Sequence, residues 1–238
     1  MILYGKPVAD ALREQYAERI EAMAWRRTLT VKIDGTEDQT YLSAIINETR
    51  KWKVKLMYAN CTKYAVTAEH TIDLCKDPVD VGIPSVDGQS AFGRSETYRG
   101  NLCSDTPCTA EAIIRMLDYY NIPIAGKHAV VIGRSERVGK PTAMLLLARD
   151  ATVTVCHSKT DKGNLLKLVA GADIVVCAAG QKGLLDWTWV TRGCTVINVG
   201  GDYISDGYEE YDTGLNLIPF KGGVGPVNTA VLMSHVLM

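Results

Sequence analysis

Neither sign of charge dominates this sequence: 26 lysines and arginines stand against 27 aspartates and glutamates, a formal net charge of −1. That balance gives no attraction to a nucleic-acid backbone or an anionic membrane surface, so a small-molecule partner is the default expectation. No run of about eighteen apolar residues occurs, so no membrane-spanning helix is expected. The start, Met-Ile-Leu-Tyr-Gly-Lys-Pro, meets a charge at Lys6 and reads as no signal peptide. The seven cysteines are an odd number with no C-x-x-C pair, which argues against a zinc site or a disulfide framework and points to the cytosol. Cys156, Cys177 and Cys194 sit in apolar runs, where a thiol behaves as a small hydrophobe. Internal repeats and low-complexity tracts are lacking as well.

What is present reads as an α/β protein. The 238 residues suit one large domain or two small ones. Val8, Leu12, Tyr16, Ile20 and Met23 recur at spacings of four and three, predicting one helix over residues 6–24. Leu29–Ile33 and Val54–Tyr58 read as strands around a helix over 40–52, and the pattern is weak between 60 and 95. Thr109 is placed to cap a helix that ends near Asn121-Ile-Pro123. Beyond Lys127 the alternation is regular: strands at 128–132, 152–156, 173–178 and 194–199, helices at 140–149 and 163–170, and a last helix over 227–238. Strands separated by helix-length segments imply parallel βαβ units.

The first of these units carries a ligand signal. After His128–Ile132 comes Gly133-Arg-Ser-Glu-Arg-Val-Gly-Lys-Pro141 and then an apolar helix, so free N–H groups and the positive end of a helix dipole face one point, as a pyrophosphate requires. Ser135 replaces the second glycine of the usual G-x-G-x-x-G and the third arrives one residue late, at Gly139. NAD sites place a carboxylate at the end of the second strand to hold the ribose hydroxyls. Here that strand ends Cys156-His-Ser-Lys-Thr160. Arg134, Ser158 and Lys159 offer donors for a 2′-phosphate instead, so NADP is the expected cofactor.

Several stretches together resemble the methylenetetrahydrofolate dehydrogenase/cyclohydrolase family: Gly133–Pro141, Thr152–Thr160, Ala172–Gly180 and Gly222-Gly-Val-Gly-Pro226, with Val86-Asp-Gly88, Arg99-Gly-Asn-Leu102 and Pro107-Cys-Thr109 upstream and Tyr4–Ala9 at the start. The resemblance implies two lobes and usually a homodimer. Residues 1–120 would form an α/β folate lobe, with helix 227–238 packing back on it, and residues 121–226 a Rossmann-type parallel-sheet lobe for NADP. It assigns Gly133, Arg134, Ser135, Val138 and Gly139 to the cofactor, together with Ser158 and Lys159, and sets Gly222, Gly223 and Gly225 beside the cleft. Asp87 inherits the aspartate that holds the pterin, and Tyr41 the folate-lobe tyrosine.

Departures from the family pattern carry as much information. The lysine expected four positions after the tyrosine is Ile45, the V-Q-L-P-L-P segment with its glutamine is missing, and Asn198 stands where an aspartate is usual. Lys51, Lys53 and Lys55 are candidates for a displaced lysine. The folate lobe is shortened. The expected activity is therefore hydride transfer between 5,10-methylenetetrahydrofolate and NADP with cyclohydrolase activity weak or lost. Its rivals are a dehydrogenase of the same scaffold with another substrate and a catalytically silent nucleotide-binding paralogue.

Overall fold

The computed structural model describes residues 1–33, 39–60, 71–73, 106–204 and 214–238. The chain begins with helices α1 (Gly5–Gln15) and α2 (Ala17–Ala22), then alternates β1 (Thr28–Ile33), α3 (Gln39–Lys51), β2 (Lys55–Asn60) and β3 (Thr71–Asp73). These strands form a parallel sheet in the order β2-β1-β3. After α4 (Cys108–Tyr119) follow β4 (His128–Ile132), α5 (Gly139–Leu147), β5 (Thr152–Cys156), α6 (Lys162–Ala170) and β6 (Ile174–Cys177). The remainder holds β7 (Leu185–Asp186), a 3-10 turn at Trp187–Trp189, β8 (Thr195–Asn198), β9 (Tyr203–Ile204), β10 (Asn216–Ile218) and the closing helix α7 (Val224–Leu237).

The second sheet is parallel throughout, in the order β10-β8-β6-β4-β5. Its central strands are unbroken apolar runs because both faces are covered, as parallel sheets require. The two-residue period sends Val131, Val176 and Ile197 to one core and Val130, Val175 and Val196 to the other. Cys156, Cys177 and Cys194 are buried free thiols, as expected of small hydrophobes. Burial pushes the Cys194 thiol up to about 12 and the Cys177 thiol well above its ordinary value.

Helix α7 is apolar on nearly every side, a composition stable only when a helix is enclosed, and α1, α3 and α4 enclose it. Its buried polar groups are satisfied: Ser234 Oγ donates to the Val231 carbonyl at 2.7 Å, and His235 Nε2 lies 2.8 Å from Glu111 Oε2 on α4. Arg115 Nε donates to the other Glu111 oxygen at 2.6 Å, and Cys108 Sγ lies 3.6 Å from His235 Nδ1. The N-terminus is tied to the same region. Leu3 N donates to the Leu217 carbonyl at 2.7 Å and Gly5 N to that of Gly222 at 2.8 Å.

Three local expectations are corrected. The single helix over 6–24 breaks at Tyr16, whose φ of −98° and ψ of 6° close α1 before α2 begins. Thr109 is no cap: Pro107 holds that position, its carbonyl accepting from Glu111 N at 3.0 Å, while Thr109 Oγ1 donates to Asn228 Oδ1 at 3.5 Å. The last helix starts at Val224 rather than 227, since Gly225 and Pro226 fall in its first turn, where an N–H has no helical partner to lose.

Burial alone would raise the Glu111 carboxyl, but the hydrogen bonds and charges of His235 and Arg115 outweigh it and hold it below the ordinary 4.5. The ionised Glu111 carboxylate therefore contributes stability above that pH and loses it as pH falls through the lowered value. Glu111→Gln should cost about 3–5 kcal/mol at neutral pH and flatten the loss of stability on acidification. Denaturant unfolding of both proteins from pH 7 down to 3 checks this.

Candidate dinucleotide-binding site

The chain leaves β4 in opposite directions, to β5 on one side and later to β6 on the other. Ligands of open α/β sheets bind outside the carboxyl ends of strands where the order reverses in this way. A cavity of about 380 Å³ lies there, lined by Ile132 at the end of β4, Cys156 at the end of β5 and Ala178 just past β6.

Two glycines allow its inner turn. Gly133 has a φ of 129°, and a Cβ on it would run into the Ala178 carbonyl. A Cβ on Gly139 would run into the Gly133 carbonyl, so the first turn of α5 lies directly on the loop. Ser135, at the second glycine's place, acts as a local brace: its Oγ accepts from Val138 N at 3.2 Å and Gly139 N at 3.4 Å. Gly133, Arg134 and Ser135 line the cavity, with Arg134 exposed at its edge. Val138 and Gly139 stand behind them at the start of α5.

The facing wall is the turn after β5. His157 N donates to Thr160 Oγ1 at 2.9 Å and Lys159 N to His157 Nδ1 at 3.2 Å, so the imidazole braces the turn. Ser158 lines the cavity. Lys159 is exposed and follows it without being a wall residue, whereas Lys162 lines the cavity from the first turn of α6, its Nζ 5.8 Å from the Trp189 ring centroid. The reading of the sequence missed Lys162 because it lies beyond the strand end. The first carboxylate in sequence after β5, Asp161, is the N-cap of α6 and accepts from Asn164 N at 3.0 Å. It is thus committed to the helix rather than to ribose hydroxyls.

Asp202 was also missed. It is fully buried, and its carboxylate accepts from Ala179 N at 2.7 Å and Gln181 N at 2.5 Å, with Gly180 N a further donor. Burial raises its carboxyl against the pull of these N–H groups.

Tyr41 and the late glycines lie at α7. Gly222, with a φ of 77°, and Gly223, the N-cap of α7, lie at the helix start with Gly225, and none of the three is a cavity wall residue. Tyr41, half-buried on α3, accepts at its hydroxyl from Asn228 Nδ2 at 3.3 Å. Ile45, one turn on, is fully buried in the core. Lys51 and Lys53 are bound at 2.5 Å to Glu48 and Glu21, and Lys55 is exposed on β2. Asp87 and the Val86–Gly88 and Arg99–Leu102 motifs lie outside the described residues.

Residues 107–238 match the family model described as tetrahydrofolate dehydrogenase/cyclohydrolase, NAD(P)-binding domain. The chain is also 33% identical to the bifunctional protein FolD of Nocardia farcinica, over 99% of this chain and 95% of the relative. The chain belongs to this family. Its FolD relative from Methanosarcina mazei is 46% identical over 139 residues, 56% of this chain and 48% of that protein. A solved FolD dehydrogenase-cyclohydrolase of Trypanosoma brucei, complexed with NADP and an inhibitor, superposes with a TM-score of 0.85 at 26% identity, covering 100% of this chain and 96% of that one. The Nocardia alignment runs over 277 positions against the 238 residues here, so the relative holds stretches that this FolD-family chain lacks. Among the described residues, no helix is long and apolar enough to cross a membrane and no cluster of metal-ligating side chains occurs.

The two touching glycines make the loop sensitive to a single methyl group. Gly139→Ala should abolish dinucleotide binding in a direct titration while α5 still forms. Undiminished binding by the variant would show that the loop and helix can separate at no cost.

Proposed function

We propose that this chain is an NADP-dependent 5,10-methylenetetrahydrofolate dehydrogenase whose cyclohydrolase activity is weak or lost. The observation that carries it is a contrast: the dinucleotide loop keeps its close glycine contact, while Ile45, which the motif Tyr41 to Ile45 sets at the family's proton-handling lysine position, is fully buried in the core. The proposal includes a folate lobe over residues 1–120 with the final helix packed on it, an NADP lobe over 121–226, a homodimer and a cytosolic location.

Bound NADP supplies the acceptor for the electron pair of the breaking C–H bond, and the product cation is stabilised by the substrate's own nitrogens. The protein's part in that step is alignment. The turn of Gly133, Arg134 and Ser135 would hold the dinucleotide, Arg134 and Ser158 would supply donors to its 2′-phosphate, and Tyr41, held by Asn228, would offer its ring and hydroxyl to the folate. Asp87 takes the pterin. Hydrolysis of the product is different work, because water must attack and protons must move between nitrogen and oxygen. An isoleucine neither donates nor accepts a proton.

A second reading, the same scaffold acting on another substrate, is favoured by the stretches missing relative to the Nocardia protein. Incubation with NADP and methylenetetrahydrofolate separates the two. The first reading expects NADPH and methenyltetrahydrofolate to appear together, and turnover to fall sharply in Asp87→Ala with NADP binding intact. NADP binding without NADPH formation would favour the second.

Cofactor choice has its own test. Arg134→Ala should weaken NADP by about tenfold or more, the scale of a charge-assisted contact to phosphate, and leave NAD nearly unchanged. Equal losses for both dinucleotides would contradict the assignment of Arg134 to the 2′-phosphate.

A further inference from the structure

One buried acid has no part in the mechanism above. Asp202 lies between β8 and β9, is fully removed from solvent, and accepts at its own carbonyl from Leu185 N at 3.0 Å. Burying a carboxylate is unfavourable unless donors replace its water, and here the donors are successive backbone N–H groups of one short segment, Ala179 to Gln181. That segment leaves β6 and walls the dinucleotide cavity through Ala178, Ala179 and Gln181. Ala178, the residue before it, is pinned at both ends: its N–H donates to the Ile132 carbonyl at 2.8 Å, and its carbonyl is the group against which Gly133 packs. A continuous line of contacts thus runs from a carboxylate with no exposed surface to the turn that receives the pyrophosphate.

Resting on the cofactor reading above, we infer that Asp202 is a positioning residue for the dinucleotide, fixing one wall of its cavity by gathering the N–H groups of Ala179, Gly180 and Gln181. An oxygen acceptor is needed on both arms of the side chain. Asparagine has the same shape but turns one arm into a donor facing donors, leaving a buried N–H unsatisfied. Gly200 senses the contact from the other side, since a Cβ there would lie 2.7 Å from Asp202 Oδ2 and 2.7 Å from Gly180 N.

The test is direct titration of NADP and NAD into the parent chain and into Asp202→Asn, Asp202→Ala and Gly200→Ala, with far-UV circular dichroism on each. Asp202→Asn should weaken both dinucleotides alike by about tenfold, leaving their ratio unchanged, in contrast to the selective loss expected of Arg134→Ala. Gly200→Ala should reproduce that pattern without altering the acid. Should Asp202→Ala unfold, the isosteric asparagine variant and Gly200→Ala still decide. A folded Asp202→Asn protein that binds both dinucleotides as the parent does would overturn the inference and leave the cofactor reading standing. A parent that binds neither would overturn that reading and this inference with it.

Discussion

Helix α7 is the constraint around which the molecule is arranged. A fourteen-residue helix with valine, leucine and methionine on nearly all sides cannot lie on a surface. It must be wrapped, and α1, α3 and α4 do so while meeting the polar demand of its buried histidine, whose Nε2 lies 2.8 Å from Glu111 Oε2. Wrapping has consequences at both ends. It brings Asn228 to Tyr41, and it sets the glycine run before the helix against Gly5 at the start of the chain. Residues distant in sequence thereby meet around the start of α7 without any of them being on the same sheet.

On the dinucleotide side the governing constraint is close approach. Gly133 and Gly139 let a strand end, a loop and a helix start touch, and further walls stand around that contact: Ser135 bracing the loop, the turn around His157, and the segment held by Asp202. The chemistry assigned to the protein is correspondingly modest. It aligns two reactants, and it lacks at position 45 a group that could move a proton. On the proposed reading, an aliphatic residue at position 45 bears on only one of two steps, because the steps make different demands, alignment for the first and acid-base work for the second.

Much of this was legible beforehand, for identifiable reasons. Parallel strands covered on both faces are near-continuous apolar runs, so β4, β6 and β8 could be read from composition and length, and the edge strand β5 from its alternation of Thr and Val. Strands β7, β9 and β10 have two or three residues each and carry no period to read. Tyr16 keeps the apolar spacing of a single helix while its backbone ends one, and Thr109 has the chemistry of a cap but spends its hydroxyl on Asn228. Arg134, Ser135 and Ser158 were recognisable because they flank strand ends. Lys162 and Asp202 were not, since their places at the cavity depend on a helix turn and on a contact across the sheet. Asp87 rests on its motif alone.

The central proposal is that this family member keeps the redox step while its hydrolytic step is weak or lost. The direct measurement supplies methenyltetrahydrofolate to the purified protein without any dinucleotide and compares its disappearance with the rate in buffer. The account predicts a rate close to that of buffer, short of a competent enzyme by the roughly 10² to 10⁴ that general acid-base catalysis supplies. Robust catalysed hydrolysis would contradict it, and would mean that another group does the work of the lysine that Ile45 replaces.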